Sequence, residues 1–262
     1  TAEDELHQAF AFDFLVQPWI AARLRSAIDK GIGLASEAEG PAWTLANHDV
    51  HRAVTRYGQE QVDEEPVPDD MLASARKTGP VDVALGTKRA GAALALMAAL
   101  PGTIYVYQGE ELGLTEHLEL APCERQDPIW YRTGGTQIGR DGCRIPMPWK
   151  RGAHSLGFSE QAWSDPWLPQ PKTYEGMTRD EDLSPHSMFA LYRRFLQARN
   201  ERRRSITHLE WLPLEQTDAL AFDNGAFVCV TNTGATAIPF GRIGGLGAVI
   251  ARSDHSERDL IE

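Results

Sequence analysis

The chain of 262 residues is long enough for one large domain or one and a fraction, and its 42% hydrophobic and 24% charged content is ordinary for a folded globular protein. No apolar run approaches the roughly 18 residues of a membrane span, which excludes a transmembrane helix. The net charge of -11 excludes a broad phosphate-binding face, because affinity for nucleic acid rests on Lys and Arg, and it favours neutral or cationic small substrates.

Cys123, Cys143 and Cys229 are few, and none has the close spacing of a structural zinc site. They are expected to be reduced thiols in a cytoplasmic protein. No dense carboxylate loop of the kind calcium prefers is present, so neither a metal nor a cofactor is expected. The chain opens on Thr1 with no signal peptide ahead of it, and the natural chain is expected to begin earlier.

In chain order, Leu6 to Leu15 alternates, with Phe10, Phe12 and Phe14 on one face, and reads as a strand. Pro18 suits a first helical turn, and Ile20, Leu24 and Ile28 recur every four residues until Gly31 and Gly33 are expected to stop the helix. The apolar piece Trp43-Thr44-Leu45-Ala46 runs straight into Asn47-His48-Asp49. After an acidic, proline-bearing loop at 63–70, Ala90, Leu94 and Met97 mark a helix over 87–100 that ends at Pro101-Gly102. Residues 103–107 then read as a buried strand.

That alternation of strand and helix predicts parallel strands with crossover helices. Residues 111–183 form a long loop rich in Gly, Pro and Trp, whose aromatics favour an ordered, functional segment. Ser184-Pro185 is the expected cap of a helix bearing Met188, Leu191 and Phe195, ending in the basic Arg202-Arg203-Arg204. From about Leu209 the character changes to short alternating runs, 219–222 and 227–230, broken by Asp223-Asn224-Gly225 and Asn232-Thr233-Gly234 turns. The expected division is therefore 1–204 and a small antiparallel β domain over 205–262.

The chemistry concentrates where strands end. Side chains at the C-terminal ends of the strands of an eightfold βα barrel, and the loops after them, carry catalysis, and both 47–49 and the loop after residue 107 occupy that position. A carboxylate and an imidazole bind vicinal hydroxyls, a guanidinium supplies fixed two-point hydrogen bonding, and aromatics cover sugar faces.

Three segments together carry a resemblance to glycoside hydrolase family 13, the α-amylase family. Asn47-His48-Asp49-Val50-His51-Arg52 resembles its fourth signature region. Gly102 to Gly113, with Tyr107-Gln108-Gly109-Glu110-Glu111, resembles its last barrel strand. Arg140-Asp141-Gly142-Cys143-Arg144-Ile145-Pro146-Met147-Pro148-Trp149 is similar to a loop of its α-glucosidase, oligo-1,6-glucosidase and trehalose-synthase branch. The resemblance spans most of 6–240. It implies the C-terminal portion, about strands 6 to 8, of a (β/α)8 TIM barrel followed by an antiparallel β-sandwich domain.

By this resemblance Asp49 corresponds to the catalytic carboxylate that hydrogen-bonds two hydroxyls of the sugar being cleaved and stabilises the oxocarbenium-like transition state. His48 corresponds to a histidine binding the same hydroxyls, and Arg144 to an arginine gripping the chain-end sugar. The family's nucleophile and acid carboxylates follow its fourth and fifth strands, and no stretch here resembles either. The implied protein is a fragment of a retaining, exo-acting α-glucosidase on α-linked oligosaccharides, partnered by the missing N-terminal half or by a second copy of the chain. A trehalose synthase or another glucosyl-transferring relative carries the same local motifs. A non-catalytic, partner-stabilised carbohydrate-binding module is the alternative outside enzymes.

Each site residue also has a plainer role. Asp49 could cap the following helix, His48 could be a buried core histidine, and Arg144 could brace its loop through Asp141. His51 and Arg52 read as structural. Glu110 and Glu111, being adjacent, point to opposite faces and so cannot both serve one sugar bond; they read as braces of the loop. Tyr105, Tyr107 and Trp43 read as barrel core, and Trp149, Trp163 and Trp167 as sugar platforms.

Overall fold

A computed structural model describes residues 8–35, 40–64, 77–160, 164–180, 184–239, 249–253 and 260–261. Most of the acidic loop at 63–70 lies outside the described residues. Among them, no helix is long and apolar enough to cross a membrane.

The first element is not the strand that Phe10, Phe12 and Phe14 suggest. Phe10 makes one parallel bridge to Ala42, and the chain turns at once into helix α1 (Phe12–Val16). The helical turn separates Phe14 from the other two rings, whose centroids stay 5.9 Å apart. Phe14 packs edge-on against Trp43 at 5.2 Å between ring centroids, while Phe10 and Phe12 remain 44% and 42% exposed.

Helix α2 (Ala21–Leu34) buries Leu24 and Ile28 and has Ile20 at its N-cap position. Gly31 and Gly33 do not stop it; the helix runs through both. A Cβ on Gly31 would lie 2.7 Å from the Trp43 indole, so this glycine serves the close approach of α2 to the strand behind it rather than helix termination.

That strand, β1 (Ala42–Thr44), is buried throughout and pairs in parallel with β2 (Thr103–Tyr105), Ala42 opposite Thr103 and Thr44 opposite Tyr105. Helices α3 (Ala53–Gly58) and α4 (Val83–Ala99) make the crossover. α4 starts earlier than its apolar stripe predicts because Asp82 caps it, accepting the Leu85 N–H at 2.9 Å. At its far end, the Arg199 guanidinium donates to the carbonyls of Ala98 and Leu100, both at 2.7 Å, satisfying groups that a helix terminus leaves open.

β2 is not the buried strand its apolar sequence implies. Tyr105 and Val106 are 45% and 41% exposed, and among the described residues β2 has β1 as its one strand neighbour. Phe10 and β2 flank β1 on opposite sides, and the Phe10 ring meets Tyr105 edge-on at 4.8 Å across the sheet, so Phe10, Phe12 and Tyr105 form an exposed apolar group on a sheet face, with Val106 exposed as well.

The described residues of the 111–183 segment pack about a core of their own, built from Leu112, Leu114, Leu120, Ile145, Met147, Leu168 and Tyr174. It contains helix α5 (Pro128–Arg132) and 3-10 turns at Asp141–Arg144, His154–Gly157 and Lys172–Gly176. Helix α6 (Met188–Arg202) is capped by Ser187 rather than by Ser184: the Ser187 hydroxyl accepts the Ala190 N–H at 3.0 Å.

Strands β3 (Glu210–Trp211), β4 (Ala219–Asp223) and β5 (Val228–Asn232) form an antiparallel sheet in that order, and β6 (Ile238–Pro239) pairs with β7 (Leu260–Ile261). Leu220 and Phe222 of this sheet belong to the same apolar cluster as Trp43, Leu94, Met97, Leu191 and Phe195. The C-terminal sheet therefore stabilises the helices that carry β1.

Just past β2, Glu110 is buried with Oε2 accepting the Tyr192 hydroxyl at 2.9 Å and Oε1 without a partner. Burial pushes its carboxyl up to about 8, against the opposing pull of the Tyr192 hydroxyl. An unfolded glutamate ionises near 4.3. Above that pH the unfolded chain releases a proton that the folded chain keeps, so stability falls as pH rises from about 4 towards about 8. Glu110→Gln should narrow the difference in Tm between pH 5 and pH 8, mainly by raising the value at pH 8. An unchanged difference would contradict the burial argument.

Candidate active site

The loop from Leu45 to Arg52 is fixed from below before it presents any side chain. Arg56, on α3, donates to the carbonyls of Leu45 and His51, closing the loop across its base. Within the loop, the Asn47 side-chain oxygen accepts the Asp49 N–H at 2.8 Å, a local turn that asparagine forms readily. The result aims the Asp49 carboxylate away from the core at the end of a parallel strand.

That carboxylate is 23% exposed and meets two guanidiniums from one neighbouring loop. Its Oδ1 accepts from Arg140 at 3.0 Å and from Arg144 at 3.1 Å. Its Oδ2 lies 3.4 Å from His48 Nε2, and the His48 side chain is 66% exposed. Arg144 also donates from Nε to the His48 carbonyl at 2.8 Å. All three expected site residues, Asp49, His48 and Arg144, therefore meet at one place. Arg144 does not brace itself on Asp141, whose carboxylate instead accepts the N–H groups of Gln126 and Asp127 at 2.8 and 2.9 Å.

Sequence reasoning missed Arg140 as a member of this group. Arg140 spans two carboxylates: Nε and Nη2 reach Asp127 at 2.6 and 3.2 Å, while Nη1 reaches Asp49. Asp127 is buried, which pushes its carboxyl up, but the Arg140 guanidinium and the N–H groups of Ile129 and Arg140 outweigh burial and hold it at about 2. The same contacts hold Arg140 charged more firmly than an ordinary arginine. The available signal was that Arg140 opens the quoted loop motif; its partner Asp127 had none.

Arg52, read as structural, joins the three motifs. It is 2% exposed, donates to the Gln108 carbonyl at 2.8 Å and the Cys143 carbonyl at 3.1 Å, and lies 5.4 Å above the Tyr107 ring. Tyr107 in turn donates its hydroxyl to the Cys143 carbonyl at 3.1 Å. His51 is fully buried. Glu110 and Glu111 brace the turn after β2, the latter accepting the Gly109 N–H at 2.8 Å.

Of the aromatics, Trp43 is core, with its indole N–H donated to the Pro101 carbonyl at 2.6 Å. Tyr105 is surface rather than core. Trp149 and Trp167 are 48% and 51% exposed, and Trp163 lies outside the described residues. The arrangement as a whole is a fixed, partly solvated anion flanked by cations and an imidazole. Such a site suits a neutral, hydroxyl-bearing ligand, because each polar group offers a directed hydrogen bond and none needs a compensating charge on the ligand.

Known proteins share sequence and fold with this chain. The profile of the Alpha-amylase family, described as alpha amylase, catalytic domain, matches residues 4–208. A probable alpha-glucosidase of Rhizobium meliloti (strain 1021) is 30% identical over 197 residues, covering 75% of this chain and 31% of that protein. An oligo-1,6-glucosidase of Parageobacillus thermoglucosidasius is 26% identical over 238 residues, covering 75% of this chain and 36% of the relative.

Among solved structures, the alpha-glucosyl transfer enzyme XgtA superposes with a TM-score of 0.68 at 31% identity, over 91% of this chain and 40% of that one. The trehalulose synthase MutB from Pseudomonas mesoacidophila MX-45 gives 0.65 at 23% identity, over 89% and 44%, a likeness of fold. The chain spans about a third of the length of these curated relatives. With the family profile matching most of its length, the chain belongs to the α-amylase family, glycoside hydrolase family 13, and its fold over that span is shared with the family's barrel enzymes.

Proposed function

We propose that residues 1–262 form the sugar-stabilising wall of a retaining, exo-acting α-glucosidase that removes glucose from α-linked oligosaccharides. The observation that carries this reading is the Asp49 carboxylate, exposed at the end of a parallel strand, held between Arg140 and Arg144 and facing His48. In this reading the Phe10 bridge, β1 and β2 are the sixth, seventh and eighth barrel strands, and β3 to β7 form the family's C-terminal sandwich.

The chemistry follows from the placement. Two sugar hydroxyls donate to Asp49, with His48 beside it, and the two guanidiniums hold the carboxylate in place. As the glycosidic bond breaks, positive charge builds on the ring, and a carboxylate already fixed next to it gains more from that charge than from the neutral ground state. Arg144 closes the pocket at the chain-end sugar, which limits cleavage to single terminal units.

Retention requires a nucleophile and an acid carboxylate about 5 Å apart. We assign these to the part of the enzyme beyond these residues. The exposed Phe10, Phe12 and Tyr105 on the sheet face are the surface on which that part packs. Cys123, Cys143 and Cys229 are free thiols, which suits a reducing cytoplasm.

The test uses the enzyme that carries these residues, incubated with maltotetraose and followed by proton NMR. The expected first products are glucose in the α configuration and maltotriose. Maltose as first product would refute release of single terminal glucose units, and β-glucose would refute retention. The likeness to XgtA, an alpha-glucosyl transfer enzyme, favours a second reading in which glucose passes to another sugar. Longer oligosaccharides appearing in place of free glucose would select it.

A further inference from the structure

Glu116 is a buried carboxyl that the proposed reaction does not use. It follows β2 in the chain, yet its contacts are with the two loops that build the Asp49 site. Its Oε2 accepts the Arg52 backbone N–H at 3.0 Å, and its own N–H is donated to the Thr55 hydroxyl at 2.8 Å, so it grips the first turn of α3 at two points. Its Oε1 lies 4.0 Å from His51 Nε2. On the opposite side it underlies the 3-10 turn of Arg140 and Arg144: a side chain on Gly142 would overlap Oε1. The side chain is 1% exposed.

A buried carboxyl is costly unless several groups hold it. Burial pushes Glu116 up to about 8, against the Arg52 N–H and the positive charges of Arg52, Arg125 and Arg56. An apolar residue of similar size would fill this volume without that cost, but it would leave the Arg52 N–H without its acceptor.

We infer that Glu116 is the positioning residue for Asp49, setting the distance between the loop that carries Asp49 and the turn that carries Arg140 and Arg144. The inference rests on Asp49 being the sugar-facing carboxylate. Its length, more than its charge, is the active property.

The test compares two variants in the enzyme that carries these residues. Glu116→Gln keeps the length and the acceptor oxygen and should retain kcat within about threefold. Glu116→Asp keeps the carboxyl but draws it back by one methylene, and should lower kcat by about 10- to 100-fold with KM nearly unchanged, because displacements of about 1 Å in a catalytic group cost that much. Amide hydrogen exchange at Arg52 should speed up in Glu116→Asp and not in Glu116→Gln.

Should Glu116→Asp fail to fold, Thr55→Val loosens the same grip from the other side and should lower kcat by about 10-fold at unchanged KM. Equal kcat in Glu116→Asp and wild type would overturn the inference, as would equal losses in both Glu116 variants. Asp49→Asn run alongside separates the two levels. If it leaves kcat intact, the site reading itself falls; if it abolishes turnover while Glu116→Asp does not, only the positioning role falls.

Discussion

Asp49→Asn should lower turnover of the enzyme carrying these residues by about 1,000-fold, about 4 kcal/mol of transition-state stabilisation, with the fold preserved. The amide keeps the shape and one acceptor oxygen but not the charge, and it is the charge that an oxocarbenium-like ring rewards. The fold survives because each partner has a second tie: Arg140 remains paired with Asp127 through two nitrogens, and Arg144 remains bonded to the His48 carbonyl. Lost pairing at a 23% exposed carboxylate costs about 1 kcal/mol of stability or less. KM should change far less than kcat, since the interaction strengthens only as the bond breaks. Near-normal kcat, measured with p-nitrophenyl α-glucoside, would refute the role.

Arg52→Leu should have the largest effect on stability. Its guanidinium is buried and donates to two carbonyls, those of Gln108 and Cys143, that lose these donors when it is removed. The Cys143 carbonyl keeps the Tyr107 hydroxyl, so at about 1–3 kcal/mol for the Gln108 acceptor left open the loss should be about 2–3 kcal/mol, read as a lower denaturation midpoint in urea at unchanged m. Arg52→Lys should recover only part of it, because an ammonium lacks the planar fork that reaches two carbonyls at once. A midpoint within experimental scatter of wild type would contradict the view that Arg52 ties the three motifs together.

These two residues also mark what a sequence can convey. Asp49 is legible because its environment is local: an apolar strand, an asparagine turn and a histidine lie within six residues of it, and that pattern survives without any tertiary knowledge. The stripe of α4 is legible for the same reason, since burial repeats at the period of the helix, whereas β4 is buried over four consecutive residues and is legible from the turn that follows it. Arg140 and Glu116 are not. The first meets Asp49 across 91 positions and the second meets Arg52 across 64, and no periodicity encodes such distances.

The misread elements have the same origin. Phe10, Phe12 and Phe14 alternate like a strand, but Phe14 has the Trp43 ring to pack on while Phe10 and Phe12 stay at the surface, so helix α1 prevails over the pattern. Gly31 signals a helix end in isolation, yet it faces Trp43, where any side chain would collide, and the helix continues. Ser184-Pro185 has the composition of a cap, but the bond to an open N–H is made by Ser187. In the first two cases a contact distant in sequence overrode a sound local preference; in the third the cap is a local bond made three residues further on.

The central claim, that Asp49 and its guanidiniums are one wall of a glucosidase site whose reacting carboxylates lie elsewhere, is tested most directly by complementation. Residues 1–262 are assayed with p-nitrophenyl α-glucoside alone and after mixing with the separately prepared remainder of the barrel. The account predicts no release of p-nitrophenol from residues 1–262 alone and release on mixing, which Asp49→Asn abolishes. Full activity from residues 1–262 alone would contradict it.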